Sequence, residues 1–467
     1  MNFRCSGCGA IAPPLDLDPY PFRCRRTALG DNIDHIVTPE PPNPPFPVEI
    51  DRNPFIRYRS LSVAHRVAAE RGLTDADYVH LVRRLDASIE SIDGRGFLVT
   101  PFNRRDRLSE ELGLSAGLWV KDETGSVSGS HKARHLMGIL IFLEVLDRIG
   151  LAPKTSNKPL SIASCGNAAL AAAVLARAAG RSLSVFIPPD AEASVVTRLR
   201  DLGASITVCD RMPGEPGDPC YRAFRLDTDI DHGGALPFCC QGSDNGLTID
   251  GGKTLGYEML PQPGERLFDR IFIQVGGGAL ISSVYQAFAD AVRLGRIPSL
   301  PRLCAVQTRA ASPLKRAYDR VAARITSRLG ASSSEPADLL HEMERAEKIK
   351  SDASPALIDE ELAFAASNRS AFMWPWETAP ESIARGILDD ETYDWVAAVR
   401  GMLFSGGFPI LASEQSLAAA ASIGAHSTGI DVSATGSAGL AGLLELFAIY
   451  PAAAGEKLAV LFTGIRR

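Results

Sequence analysis

Apolar residues recur at helical spacing through RSLSVAHRVAAERG (59–72) and ADYVHLVRRLDASIESI (76–92), so both stretches predict amphipathic helices. The pattern then changes. The short apolar runs SLSVFIP (182–188), RIFIQV (270–275) and KLAVLF (457–462) predict buried strands. NAALAAAVLARAAG (167–180) and ISSVYQAFADAVRLG (281–295) predict the helices between them. Strand–helix alternation over this length predicts an α/β fold with mostly parallel sheets. Residues 330–350, rich in Ser, Glu and Lys, predict a surface insertion, and no internal repeat is visible.

The first 45 residues follow another rule. They hold three cysteines and run into PEPPNPPFP (39–47), which predicts an extended linker. Cys5-x-x-Cys8 followed by Cys24 is half of a zinc ribbon; a structural zinc would take its fourth ligand from His35, Asp31 or Asp34. Nine cysteines without a secretory signal predict reduced thiols rather than a disulfide framework. The 467 residues exceed one simple core, so two or three units are expected. A net charge of −6 supplies no basic field for nucleic acid, and no apolar run is long enough to span a bilayer. A cytoplasmic enzyme is the expectation.

Three loops carry candidate chemistry. In LWVKDETGSVSGSHKARHLMGIL (118–140) a strand leads through small residues into a helix starting near Lys132. The positive end of a helix dipole favours a neutral amine, the form that attacks a carbonyl. In SIASCGNAALAAAV (161–174) a strand ends at Ser164, Cys165, Gly166 and Asn167, whose backbone N–H groups suit a substrate carboxylate. In IFIQVGGGALISSV (271–284) a strand meets Gly276, Gly277, Gly278 and Ala279 at a helix start, an anion site where glycine admits a phosphate. Ile281 stands where the dinucleotide fingerprint needs its third glycine, so a small monophosphate cofactor is expected rather than NAD or ATP.

Together the three loops resemble the tryptophan synthase β and threonine synthase group, the fold type II pyridoxal-phosphate enzymes. The resemblance covers residues 95–467 with gaps. It implies that Lys132 binds the aldehyde of pyridoxal 5'-phosphate, that Asn167 meets the ring hydroxyl, and that Gly276–Ala279 hold the phosphate. The terminal KLAVLFTGIRR resembles the family's closing strand, which implies Thr463 as the partner of the pyridine nitrogen. Thr435 and Ser437 in SATGSAGLAGL are rivals for that role. A neutral hydroxyl there limits carbanion stabilisation and favours β-elimination and β-replacement over transamination.

The implied architecture is two three-layer αβα domains with mostly parallel sheets, plus the small ribbon-like segment. Residues 1–45 form ribbon and linker, 95–235 a smaller domain with Lys132 and Asn167, and 46–94 with 236–467 a larger one with the glycine turn. A homodimer is also implied. TIDGGKTLGYEML (248–260) and PDAEASVVTRLRDLGASITV (189–208) resemble stretches of threonine synthases and threonine ammonia-lyases. His131 stands where those families carry Phe, as in tryptophan synthase β chains. The expected activity is therefore a lyase on a hydroxy or O-activated amino acid. A β-replacement synthase is the alternative, and a non-catalytic protein on the same fold is a third. Residues 371–395, dense in aromatics and acids, predict either a pocket or lid, or a packing segment or dimer contact. His135 reads as a polar group beside the site or a helix-surface histidine. Cys165 reads as a loop filler rather than a nucleophile.

Overall fold

The computed structural model of the chain describes residues 1–28, 30–152, 158–211, 217–229, 234–261, 265–330, 338–451 and 455–467. It divides into two compact units. The first comprises Met1–Arg26, Ile36–Val99 and Gly125–Thr254; the second comprises Thr27–His35, Thr100–Thr124 and Leu255–Arg467.

Twelve strands are present among the described residues: β1 (Phe3–Cys5), β2 (Val37–Pro39), β3 (Phe102–Arg104), β4 (Leu118–Asp122), β5 (Leu160–Ala163), β6 (Leu183–Ile187), β7 (Ser205–Val208), β8 (Leu236–Pro237), β9 (Arg270–Gln274), β10 (Arg302–Thr308), β11 (Pro409–Ala412) and β12 (Leu458–Phe462). β1 and β2 pair antiparallel, the small ribbon expected at the N-terminus. The first unit carries a four-stranded sheet in the order β7-β6-β5-β8, all parallel. The second carries six strands in the order β11-β10-β9-β12-β4-β3, parallel except for the β3 edge.

Burial follows position in the sheet. Every residue of β9 and β12, the two central strands, is buried, and both read as unbroken apolar runs apart from Arg270 and Gln274. The edge strand β7 leaves most of its residues in water. Because β4, β12 and β9 run parallel, their carboxyl ends emerge side by side, the position where open α/β sheets place their ligands.

Residues 46–94 and 236–254 join the first unit and 100–124 the second, each opposite to the sequence expectation. The reason is packing. Helix Val63–Glu70 lies on helix Lys132–Arg148, and helix Asp75–Asp93 lies on helix Asn167–Ala178, so the amphipathic faces read from the sequence close over the Lys132 helix and its neighbour. The ribbon docks on the same unit. Arg23 bonds Asp244, which is fully buried, at 2.8 Å and the Thr228 hydroxyl at 2.9 Å, and the Phe22 ring meets Phe142 at 6.4 Å. Residues 331–337 of the expected insertion lie outside the described residues, and Leu339–Asp352 form a helix. No described helix is long and apolar enough to cross a membrane.

The Lys132 helix is seated by a backbone-to-backbone contact. A Cβ on Gly138 would lie 2.6 Å from Gly251 Cα, and one on Gly251 would lie 2.3 Å from the Arg134 carbonyl oxygen. Neither neighbour is a flexible side chain, so Gly251→Ala must move the two backbones apart. The expected outcome is a fall in melting temperature equivalent to about 2 kcal/mol or more, measured by thermal unfolding. Gly125→Ala, where no atom lies within 4 Å of the added carbon, should leave stability nearly unchanged.

Candidate active site

In the first unit the approach to Lys132 is tightly turned. Ser128 sits at φ 54°, the one non-glycine in the left-handed region among the described residues, and Gly129 follows at φ 70°. Ser128 N–H donates to Asp93 at 2.9 Å, which supports a conformation that costs about 1–2 kcal/mol for an L-residue. Lys132 then opens helix Lys132–Arg148 behind His131, and no N-cap side chain bonds to the first turn. The amine-bearing residue is half-buried.

One helical turn on, His135 is buried and not at a helix surface. Its Nδ1 lies 2.9 Å from the Thr248 carbonyl oxygen, so Nδ1 carries the proton and donates. Burial first, and then the Lys132 charge, lower its pKa from the usual 6.5 to about 3. The ring is a neutral neighbour of Lys132, and the His131 ring meets it edge to face at 5.6 Å.

β5 delivers the second loop. Ser164 N–H donates to the Phe186 carbonyl at 3.2 Å, which ties the loop to the end of β6. Helix Asn167–Ala178 begins behind Gly166, again without an N-cap side-chain bond. The chain after β6 brings carboxylates to the same edge. Desolvation and then the charges of Asp190, Asp218 and Glu192 raise the Cys165 thiol above its usual range, which argues against a nucleophilic thiolate.

In the second unit the glycine turn leaves β9. Gly278, at φ 95°, caps helix Ala279–Arg293 without a side-chain bond. The Cα faces of the turn are filled by the chain itself. A Cβ on Gly276 would lie 2.1 Å from an Asp389 carboxylate oxygen, one on Gly277 would lie 3.0 Å from the Tyr393 ring, and one on Gly278 would lie 2.8 Å from the Thr392 methyl. Thr392 Oγ1 donates to the Gly276 carbonyl at 3.0 Å, and Asp394 N–H donates to the Gly277 carbonyl at 3.1 Å.

Residues 371–395 therefore divide in two. Trp374 packs on helix Pro313–Arg328, with the Arg316 guanidinium 3.6 Å from its ring centre, while 387–394 lie against the glycine turn. Arg369 anchors the second part. It bonds Glu391 at 2.5 Å and the buried Asp34 at 3.2 Å, so Thr27–His35 is docked beside the segment that covers the turn.

Thr463 follows β12 and is buried. Its Oγ1 accepts from Gln274 Nε2 at 2.8 Å, and its N–H donates to the Gly436 carbonyl at 3.1 Å. The rivals are used locally: Thr435 Oγ1 accepts from Gly386 N–H at 3.1 Å, and Ser437 Oγ donates to the Ser433 carbonyl at 3.1 Å.

Two groups escaped the reading of the sequence. Lys121 and Glu123, in a stretch read simply as a strand, are fully buried with Glu258 and Thr100. Lys121 Nζ bonds Glu258 and, at 2.8 Å, the Thr100 carbonyl, while the Thr100 hydroxyl donates to Glu123. Three consecutive charges closing an apolar strand were the available signal. Gln274 carried no signal beyond a polar residue within an apolar run. The Gly-x-Lys-Thr-x-x-x-Glu stretch is structural in part: Lys253 pairs with Asp250 at 3.4 Å, and the Thr254 hydroxyl accepts from Arg134 at 3.1 Å.

Each unit thus carries a parallel sheet and an uncapped helix start, with Lys132 at the one in the first unit and the glycine turn at the one in the second. The chain matches the pyridoxal-phosphate dependent enzyme family over residues 95–464, and it belongs to that family. It is 27% identical over 237 residues to a threonine synthase of Methanosarcina acetivorans, covering 49% of this chain and 52% of that one. It spans about half the length of the curated relatives it matches. Solved structures share the fold. The processed form of threonine deaminase isoform 2 from Solanum lycopersicum does so at TM-score 0.54 and 15% identity, covering 84% of this chain and 91% of that one. Diaminopropionate ammonia lyase from Escherichia coli does so at TM-score 0.55 and 15% identity, covering 83% and 88%.

The residues fit the cofactor. A phosphate suits a helix start with no competing side-chain cap, and Gly276–Gly278 lead into such a start at Ala279. A pyridine nitrogen needs a fixed hydroxyl, and Gln274 fixes the hydroxyl of Thr463.

His135 yields a pH prediction. In the unfolded chain it takes a proton below about 6.5, whereas in the folded chain it resists until about 3. The unfolded state binds more protons in that window, so this group's contribution to stability falls as pH drops from 6.5 towards 3. His135→Asn should flatten the acid limb of the stability–pH curve, measured by urea unfolding between pH 7 and 4. An unchanged slope would exclude His135 as its source.

Proposed function

We propose that the chain is a pyridoxal-phosphate-dependent lyase catalysing β-elimination, or related β/γ chemistry, on a hydroxy or O-activated amino acid. The observation that carries this reading is the uncapped glycine turn at the carboxyl end of β9, in a chain that also starts a helix with Lys132. When bound, pyridoxal phosphate supplies an electron sink that makes the substrate's α-proton acidic. Lys132 would hold the aldehyde at rest and, once displaced, take the α-proton at its Nζ. The neutral His135 leaves that amine without a competing imidazolium charge. Ser164, Cys165, Gly166 and Asn167 would bind the substrate carboxylate, Asn167 also meeting the ring hydroxyl. Gly276–Ala279 would hold the phosphate, and Thr463 the ring nitrogen.

Two features bear on the substrate. Desolvation and then the charges of Asp190, Asp218 and Glu192 raise the Cys165 thiol, a negative surround that supports an amino-bearing side chain over a phosphorylated one. Thr463, as a neutral partner, favours elimination over transamination. The β-replacement reading rests on His131 and on the cover of the glycine turn by 387–394, and it would require a second substrate. A cytoplasmic homodimer belongs to the same reading.

Purified protein with pyridoxal phosphate should show a visible band that Lys132→Ala lacks. Small hydroxy and amino-substituted amino acids should then release ammonia and a keto acid, with about 10³-fold or greater loss in Lys132→Ala. Turnover appearing only when a nucleophile is added would establish replacement instead. Absence of a band at excess cofactor would move the reading to a non-catalytic protein.

We also infer a structural zinc in the ribbon. Cys5, Cys8, Cys24 and His35 offer ligand atoms that all lie within 4.8 Å of one another, which supports His35 rather than Asp31 or Asp34 as the fourth ligand. Asp31 instead meets His35 Nε2 at 3.1 Å, the outer-shell contact that orients a metal-binding imidazole. His35 is bonded directly to Ile36, whose carbonyl accepts from Ser6 N–H at 2.8 Å, so the ribbon backbone holds it. Three thiolates and one imidazole suit tetrahedral zinc. Metal analysis should find about one zinc per chain. Cys8→Ser should lose it and lower the melting temperature, and a metal-free wild type would refute the site.

A further inference from the structure

We propose that the N-terminal ribbon positions the Lys132 amine, with Arg23 as the positioning residue. Arg23 grips the loop 241–247, and that loop holds the carbonyl on which His135, one turn beyond Lys132, is seated. The inference rests on the reading of Lys132 above and adds a residue far from it in the chain.

Three ribbon residues close on the loop, all within the first unit. The Arg23 guanidinium donates to Asp244 at 2.8 Å, to the Thr228 hydroxyl at 2.9 Å and to the Thr228 carbonyl at 3.0 Å. Asp244 is fully buried and also accepts from Arg225 at 2.7 Å and from Tyr221 at 3.0 Å. Charge-assisted bonds from two guanidinium groups fix a buried carboxylate in place. Two residues on, Gly246 N–H donates to the Phe22 carbonyl at 3.2 Å. A Cβ on Gly246 would overlap the Val37 carbonyl oxygen, so the loop backbone runs directly against β2.

The loop passes this hold to the Lys132 helix. Asn245 donates to the Pro237 carbonyl at 2.8 Å and accepts from Leu247 N–H at 3.1 Å through its side chain. Its backbone carbonyl accepts from Thr248 N–H at 3.1 Å. Thr248 opens helix Thr248–Glu258, and its own carbonyl accepts from His135 Nδ1 at 2.9 Å. Three residues further, Gly251 meets Gly138 backbone to backbone. Every residue from Asp244 to Thr248 is buried. A close-packed path of this kind transmits a displacement rather than absorbing it. The helix that carries Lys132 therefore rests on a loop whose other side the ribbon grips.

A second ribbon contact bypasses the loop. Arg71 donates to Asp16 at 2.6 Å through two nitrogens, and the pair faces water. It separates docking of the ribbon from positioning of the site.

The test uses the full chain, labelled with ¹⁵N-histidine, well below the melting temperature of each variant. His135 Nδ1–H, assigned by its loss in His135→Asn, exchanges with water when its bond to Thr248 opens. Arg23→Met should speed that exchange about tenfold and slow the appearance of the visible band on mixing with pyridoxal phosphate by a similar factor. In the Lys132→Ala background, where only non-covalent binding remains, Arg23→Met should leave the affinity for pyridoxal phosphate unchanged. General loosening would not give that split. Arg23→Lys, which keeps the charge but not the fork, keeps the test open if the methionine variant does not fold; it should shift both rates in the same directions by about threefold. Asp16→Asn should change neither rate. A folded Arg23 variant with the wild-type value of either rate, a matching loss of affinity in the Lys132→Ala background, or equal changes in Asp16→Asn would overturn the proposal while leaving the cofactor reading intact. A wild type that shows no band at excess cofactor would overturn both.

Discussion

A side chain at position 276 would put its first carbon 2.1 Å from the Asp389 carboxylate. Much of the second unit depends on this absence of a Cβ. The three glycines are required on their Cα side because the segment ending at Asp394 lies flat against them. Their N–H groups are required on the other account, to open helix Ala279–Arg293 without a cap. One short turn therefore answers to two constraints, the segment packed on it and the helix it opens. The first is fixed permanently by the Thr392 and Asp394 bonds to the turn carbonyls.

That arrangement explains why residues far apart in the chain converge there. Asp389–Asp394 is steadied through Glu391 by Arg369, and Arg369 also binds Asp34 of the N-terminal segment. Asp34 N–H donates to the Ala366 carbonyl at 2.7 Å, so the contact includes backbone as well as charge. Thr27–His35 is thereby a component of the second unit, although its flanks on both sides belong to the first. The N-terminal sequence is thus divided between the two units. Its Arg23 joins the buried Asp244 in one unit, and its Asp34 joins Arg369 in the other.

The legible and illegible parts of the sequence separate along physical lines. Signals with short range survived. The apolar runs at 182–188, 270–275 and 457–462 are strands, the helices at 167 and 279 begin at the turns read for them, and the Cys-x-x-Cys segment is a two-stranded ribbon. Periodicity and turn chemistry act over a few residues, so a single sequence displays them. Assignments that depend on which faces meet across long distances did not survive. Helices 63–70 and 75–93 show a buried stripe but not its partner, so their allocation to the first unit was invisible. The same holds for 371–395: its aromatics advertise burial, while its two separate contacts, Trp374 on Arg316 and Tyr393 on Gly277, could not be told apart.

Polar residues inside apolar strands are the remaining lesson. Lys121 and Gln274 each interrupt a buried run, and each proves to be a hub joining several backbone segments. Their chemistry differs. Lys121 brings a charge into the interior, and Glu258 and Glu123 answer it within the protein at the β4 end. Gln274 brings no charge, and its Nε2 lies within hydrogen-bond reach of the carbonyls of Gly436, Thr435 and Leu461 and of the Thr463 hydroxyl. One buried amide thereby ties the end of β9 to the end of β12 and to the turn before helix Ala438–Ile449, without the desolvation cost that a buried charge would carry.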